Sequence, residues 1–359
     1  MSTKATKRML APYFQEASPT LFFSSMFKSP PRNFHDSESV EIDIVRSEED
    51  VSIAIQDISA GYRNNTADLY TNKEFIPPVH KEAVTINANT LLQRVAGQDP
   101  FADTTTQARL IARILQALPK PERKIRRAME LQASQVLQLG VVTLSDSSGN
   151  AIYSIDYKPK ATHLVDVSVD WGSSGDTPLQ DIRALADVIR GDGLVDADQL
   201  IFGDTAFDAF INATDVQALF DNRAIDIGSI KPEGRGNGAT FQGTVKIGSY
   251  RFEMWTYQGR YKHPQTGVST RFMNTDKVIV RASNGRLDAS FGNIPKIVPP
   301  DSRILPFLPD RIASPAGGID LIPNAWIDQT GENLSVGVGA RPLMIPTAID
   351  TFGCLDTTP

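Results

Sequence analysis

A helical tract interrupted by prolines, residues 104–139, most constrains how this chain can fold. Apolar residues recur at helical spacing in its first half, until Pro119 and Pro121, which break or kink an α-helix. Gly140 provides a stop after the second half. The spacing predicts a long amphipathic helix with one apolar face. In the second half that face comprises Ile125, Met129, Ala133 and Val136.

Period-two patterning before this tract predicts β-structure. Apolar and polar residues alternate over residues 51–56, as is typical of a half-buried strand. A second apolar stretch, residues 75–86, contains Pro77-Pro78, and proline pairs belong at sheet edges. We predict a long hairpin over residues 41–90 that gains stability by lying on a partner. Its candidate contacts to another subunit are Val51, Ile53, Ile55 and Phe75.

Strand and helix signals are mixed after Gly140. Residues 141–157 predict a hairpin around a turn rich in Ser, Asp and Gly. A helix is expected from Asp176 to Gly191, and a short buried strand at residues 200–202 precedes another helix. Strands dominate residues 241–282. The fold class that follows is α+β or mixed α/β.

The first 35 residues form a basic segment with a dense aromatic run. Five cations and one anion lie between Met1 and His35, and prolines discourage one continuous helix. The large apolar residues on so short a segment must be buried. Two interpretations stay open: burial in the protein's own core or against a neighbouring subunit. The candidate contacts to a neighbouring subunit are Phe22, Phe23 and Phe27.

Composition limits the classes of function. A chain of 359 residues suggests two or more packed units. A formal net charge of -6 argues against a protein whose whole surface binds nucleic acid. The single cysteine, Cys354, excludes an intramolecular disulfide and any multi-cysteine metal site. Without a signal peptide or an apolar run of membrane-spanning length, we expect a soluble protein used in the cytoplasm.

No pattern of catalytic or metal-binding residues stands out. The four histidines are not paired at metal-ligand spacing, and residues 192–198 lack the acidic positions of a calcium loop. The glycine-rich residues 233–238 lack the ending of a phosphate-binding loop. Cys354 is expected to be a small buried hydrophobe. We therefore expect no catalytic residue, metal or cofactor, although folding could still assemble a pair of carboxylates.

The order of these short apolar signatures resembles the lambda-like major capsid protein family (capsid protein E) of tailed bacteriophages. Residues 21–27 resemble the family's amino-terminal aromatic turn, and residues 48–88 look like its extended E-loop hairpin. Residues 122–143 are similar to its spine helix and exit strand. Residues 176–182 resemble the entry to its axial domain, and residues 340–345 its closing strand.

The resemblance implies an α+β phage major capsid fold of the Hong Kong ninety-seven-like type. The implied parts are an N-terminal arm (1–40), an extended E-loop hairpin (41–90), a peripheral domain with a long spine helix (91–170), an axial domain (171–325) and a return strand to the peripheral domain (326–359).

The resemblance also implies a structural head protein that self-assembles into an icosahedral shell around double-stranded DNA. The implied partners are further copies in hexamers and pentamers, a portal, a decoration protein, and DNA packaged without sequence specificity, with no membrane. A separate scaffolding protein is expected because the chain shows no long amino-terminal extension. The implied location is the virion, after assembly in the host cytoplasm.

A basic group opens the second half of the helical tract. It is interpreted as a solvated face, as a belt of salt bridges between subunits, or as an inner surface that faces packaged DNA. The group comprises Arg123, Lys124, Arg126 and Arg127.

Two other functions are kept as alternatives. A nanocompartment (encapsulin-like) shell would enclose a protein cargo instead of a genome. A soluble hydrolase with an acid pair assembled by folding would be a small monodisperse species with activity.

Overall fold

The computed structural model describes residues 21–35, 40–44, 71–91, 93, 105–145, 148, 150–221, 228–234, 238–294, 320–328 and 330–358. Helices and strands are mixed along the chain, which confirms the predicted α+β class. The helices are α1 (Ala88–Leu91), α2 (Thr106–Ala117), α3 (Pro119–Leu139), α4 (Pro178–Gly193), α5 (Asp204–Asn212) and α6 (Thr214–Asp221). The strands are β1 (Val40–Ile44), β2 (Thr71–Phe75), β3 (His80–Asn87), β4 (Val141–Ser145), β5 (Ala151–Asp156), β6 (Leu164–Asp166), β7 (Gln199–Phe202), β8 (Gly228–Gly234), β9 (Ala239–Ile247), β10 (Tyr250–Tyr257), β11 (Arg260–Lys262), β12 (Ser269–Arg271), β13 (Lys277–Arg281), β14 (Asp288–Phe291), β15 (Ile322–Ile327), β16 (Asn333–Ala340), β17 (Pro342–Ile345) and β18 (Phe352–Asp356).

The proline-interrupted tract folds as α2 followed directly by α3. Leu118 joins the two helices with helical backbone angles, and Pro119 occupies the first position of α3, where its missing N–H costs no hydrogen bond. Gly140 ends α3 with a φ of 64°, and its N–H donates to the carbonyl of Val136 at 2.9 Å. The predicted apolar face is confirmed, because its four members are all buried: Ile125, Met129, Ala133 and Val136.

A seven-stranded sheet with the order β6-β18-β13-β7-β10-β9-β8 forms the centre of the described chain. Its pairs β10–β7 and β18–β6 are parallel, and the other pairs are antiparallel. β18 lies within this sheet, although its residues fall in the segment predicted to return to the peripheral domain. The apolar run from Phe352 to Leu355 accounts for this position, because both edges and both faces of the strand are covered.

The central strands of this sheet contribute side chains to two separate cores. Along β7, Leu200 and Phe202 face one core, whereas Ile201 faces the other. Val278 and Ile279 of β13 divide in the same way. The alternation follows from the period-two geometry of a strand. One face is covered by α4, α5 and α6, and the other lies over the core that contains α3.

A three-stranded antiparallel sheet, β15-β16-β3, lies beside α3. Its inner face buries Ile86, Leu334, Val336 and Val338 in the core shared with that helix. β1 and β2 form a separate antiparallel pair in which Val40 lies opposite Phe75. The remaining pairs are β4–β5, which confirms the predicted hairpin after Gly140, together with β11–β12 and β14–β17.

Candidate assembly surfaces and the anchor of the amino-terminal segment

A buried carboxylate holds the amino-terminal segment onto the core. Glu130 lies on α3 with no solvent exposure. Its Oε1 accepts hydrogen bonds from the backbone N–H of Phe22 at 3.0 Å and of Phe23 at 2.7 Å, and from the Tyr257 hydroxyl at 2.9 Å. Its Oε2 accepts from the N–H of Ser24 at 2.8 Å. Because a buried carboxylate must be hydrogen-bonded, these five residues form one unit, called the Glu130 anchor below.

Aromatic rings surround the Glu130 anchor. The Phe23 ring is fully buried and meets the Tyr257 ring edge-on, with centroids 5.0 Å apart. The Phe22 ring lies 5.2 Å from the same tyrosine, and Phe27 is also buried. The three phenylalanines therefore lie in the protein's own core, which is one of the two interpretations of the sequence. Their contact with a neighbouring subunit stays a prediction.

The segment continues from the Glu130 anchor along β14. The N–H of Lys28 donates to the carbonyl of Leu287 at 2.9 Å, and the N–H of Ala289 donates back to Lys28 at 2.8 Å. Further along, the Phe34 ring stacks on Phe291 with centroids 5.1 Å apart. The arm is thus attached at two places, by a side chain of α3 and by backbone pairing with β14.

The predicted basic group lies in the first turns of α3, and part of it is paired within the chain. Lys124 Nζ lies 2.9 Å from Glu82 of β3, and Arg126 lies 2.5 Å from Asp320. The Arg123 guanidinium donates to the carbonyl of Pro119 at 3.2 Å. The contacts of Lys124 and Arg126 attach α3 to other segments of its own chain. The roles predicted for Arg123, Lys124, Arg126 and Arg127 toward other subunits or DNA stay predictions.

The hairpin residues predicted to contact a neighbour are placed only in part. Val51, Ile53 and Ile55 lie outside the described residues. Phe75 ends β2, and its backbone is paired with Val40. Their contact with a neighbour stays a prediction.

An open apolar groove crosses the outer face of the three-stranded sheet. Gly337 and Gly339 form its floor, because they carry no side chain on that face, and its volume is about 300 Å³. Trp326, on the wall of the groove, is 44% exposed. Ile76 and Val79, which lie just before β3, are 57% and 45% exposed. Large exposed apolar side chains of this kind are candidates for contacts with other molecules.

The titratable groups near β18 have structural partners. His163 is buried between the carbonyl of Phe352 at 2.8 Å and the carboxylate of Asp192 at 3.1 Å. Lys160 donates a hydrogen bond to the same carboxylate at 2.7 Å, and this bond holds the pKa of Asp192 below its usual value. Burial raises the pKa of the Cys354 thiol to about 12, so it is not a reactive thiolate. Within the described ranges, no three His, Cys, Asp or Glu side chains are grouped to hold a metal ion.

Comparison with known proteins identifies the family of this chain. No curated protein sequence matches the chain significantly. The sequence profile of the family described as "Phage major capsid protein E" matches residues 8–352. The chain belongs to this family. The predicted resemblance is therefore confirmed, and the chain is a structural capsid protein of the virion, not an enzyme.

Solved structures show that the capsid protein shares the expected fold. The proposed capsid protein of a prophage in Escherichia coli CFT073 is 16% identical, with 94% of this chain and 93% of that chain covered and a TM-score of 0.61. A protein chain of Microbacterium phage Oxtober96 is 9% identical, with coverage of 100% and 96% and a TM-score of 0.49. The SrpI encapsulin of Synechococcus elongatus PCC 7942 is 10% identical, with coverage of 96% and 92% and a TM-score of 0.47. The first likeness confirms the phage capsid fold; the other two are too distant to carry an argument. Among the described helices, none is long and apolar enough to span a bilayer.

Proposed function

We propose that this capsid protein forms the hexamers and pentamers of an icosahedral head that encloses double-stranded DNA without sequence specificity. The family match over residues 8–352 carries the proposal, because capsid proteins of this family assemble into shells. A closed shell needs many modest, repeated contacts between copies. The exposed apolar residues on the outer face of β15-β16-β3 are candidates for such contacts.

We propose that the basic face of α2 and α3 lies on the inner surface, toward the DNA. Residues 105–139 hold seven Lys and Arg residues against two Glu residues, whereas the whole chain has 36 cations and 42 anions. One of the two Glu residues, Glu130, is buried and bonded to the arm. A local positive face on an acidic protein can contact phosphates while the remaining surface repels them. Its candidate contacts are Arg123, Lys124, Arg126 and Arg127.

We further propose that assembly takes place in the host cytoplasm with a separate scaffolding protein, a portal and a decoration protein. Coexpression of the capsid protein with its neighbouring genes tests this directly. Closed shells that form only with a candidate scaffold would support the proposal. Closed shells of uniform size from the capsid protein alone would contradict the need for a scaffold.

Charge neutralisation tests the DNA-facing surface. A variant with Gln at all four basic positions 123, 124, 126 and 127 is compared with a control in which exposed Lys246 and Arg251 of the seven-stranded sheet are changed to Gln. Electron microscopy measures shell formation, and the absorbance ratio of purified shells measures nucleic acid. We expect the α3 variant alone to retain less DNA. Equal DNA retention in both variants would contradict the proposed inner surface, and a protein cargo in wild-type shells would favour a nanocompartment.

A further inference from the structure

We propose that Glu130 is a positioning residue for assembly, which fixes the place of residues 22–24 of the amino-terminal segment on the subunit. Three of its four hydrogen-bond donors are consecutive backbone N–H groups of that segment, at Phe22, Phe23 and Ser24. The fourth donor, the Tyr257 hydroxyl, belongs to β10 of the seven-stranded sheet. One carboxylate therefore joins the arm, the long helix and the sheet.

The arrangement makes docking of the arm a condition of a stable core. If residues 22–24 left their place, the Glu130 carboxylate would stay in the core with only Tyr257 as its partner. An ionised carboxylate without partners is strongly disfavoured in an apolar interior. The aromatic rings of Phe22 and Phe23 would also leave the core, where each now packs on Tyr257. While Glu130 is present, release of residues 22–24 therefore destabilises the core.

The geometry of the turn explains why a carboxylate fills this role. Ser24–Met26 forms a short 3-10 helix, and the first N–H groups of a helical turn have no partner within it. Both oxygens of Glu130 are used, since Oε1 serves Phe22 and Phe23 while Oε2 serves Ser24. A glutamine would keep one acceptor oxygen and would turn its amide donor toward the N–H of Ser24. The anchor thus depends on the charge and on both oxygens.

Attachment at two places gives the proposal a specific consequence. Pairing of Lys28 with β14 does not depend on Glu130. Loss of the carboxylate should therefore release residues up to about Phe27, while the later part of the arm stays in place. In an assembling shell, the first described residues of the arm would then no longer hold the same place on each copy. This part of the inference rests on shell assembly, which the wild-type protein tests in the same experiment.

The experiment combines Glu130→Ala with limited proteolysis by chymotrypsin, which cleaves after phenylalanine. In the wild type, Phe22, Phe23 and Phe27 are buried and should resist cleavage. In the variant, we expect cleavage at these sites at least about tenfold faster, because proteolysis follows the population of the opened segment. Electron microscopy should show irregular assemblies instead of the closed wild-type shells.

Two further variants separate positioning from a general loss of stability. Val280→Ala removes buried volume in the other core, on the opposite face of the sheet, so it should lower stability while the arm stays protected and shells still close. Glu130→Gln should give intermediate cleavage and keeps the test open if the alanine variant does not fold. The inference is overturned if Glu130→Ala or Glu130→Gln leaves the arm protected, or if Val280→Ala exposes it equally. Absence of shells from the wild type coexpressed with its candidate scaffold would instead contradict the proposed function.

Discussion

Replacement of Phe23 by alanine tests whether the aromatic arm belongs to the subunit's own core. Its ring is fully buried and lies edge-on to Tyr257 at 5.0 Å. A Phe→Ala change at a buried site costs about 3–5 kcal/mol, since the lost transfer energy adds to the cost of the cavity. With about 2.1 cal/mol/K of unfolding entropy per residue, a chain of 359 residues would lose about 4–7 °C in melting temperature. The loss should appear in subunits that have not assembled.

The assay is thermal and urea unfolding of dilute subunits isolated by size exclusion. Far-UV circular dichroism follows the whole fold, and tryptophan fluorescence reports on all three tryptophans. One of them, Trp255, has its ring 5.8 Å from Phe22. Val268→Ala is the control, because Val268 is 60% exposed and its loss should change stability by less than about 0.5 kcal/mol. If Phe23→Ala left the unfolding midpoint of the subunit unchanged but prevented shells from closing, the ring would act between copies and the reasoning would be refuted.

Three other substitutions or treatments give separate checks. Gly203→Ala should lower the free energy of unfolding, measured in urea, by about 3 kcal/mol or more. The reason is that its Cβ would lie 2.2 Å from the carbonyl oxygen of Asn274. An unfolding midpoint equal to that of the wild type would show that the backbone can yield there. The thiol of Cys354, whose pKa is raised to about 12, should stay protonated at about pH 8. A thiol reagent should therefore label it only in denaturant. Rapid labelling of the folded protein would contradict the burial of this thiol. Lys124→Ala should cost about 0–1 kcal/mol, because the pair with Glu82 is exposed; a larger loss of stability, insensitive to salt, would indicate a different role.

Local patterns were sufficient wherever a helix or strand buries a regular face. The spacing of Ile125, Met129 and Ala133 predicted the buried face of α3, and all three are buried. The apolar run at residues 200–202 predicted a buried strand, and β7 is covered on both faces. These features depend on neighbours within one or two turns or along one strand, so the sequence alone carries them.

The Glu130 anchor was missed because its partners are distant in sequence. The carboxylate of Glu130 bonds groups 106 to 108 residues before it and 127 residues after it. One local signal was present: Glu130 precedes the buried Ala133 and Leu137 by three and seven residues, so it lies on the buried face of the helix. An acidic residue at such a position needs buried donors, but periodicity cannot say which segment supplies them. Uncertainty about the aromatic arm had the same cause.

The topology explains how a subunit can be rigid and still present surfaces to many neighbours. Neither core closes without segments far apart in the sequence, since Phe23 packs on Tyr257 in one core and Leu355 pairs with Val278 in the other. Folding should therefore be cooperative across the described chain, with many non-local pairs that form together.

Buried Arg341 adds a further link between distant segments. Its guanidinium donates to the carbonyls of Pro77 before β3 and Asn293 after β14, at 3.1 and 3.2 Å. A single cation thus fixes the backbone at two distant points of the chain. Contacts between copies can then vary around a shell while the fold of each subunit stays the same.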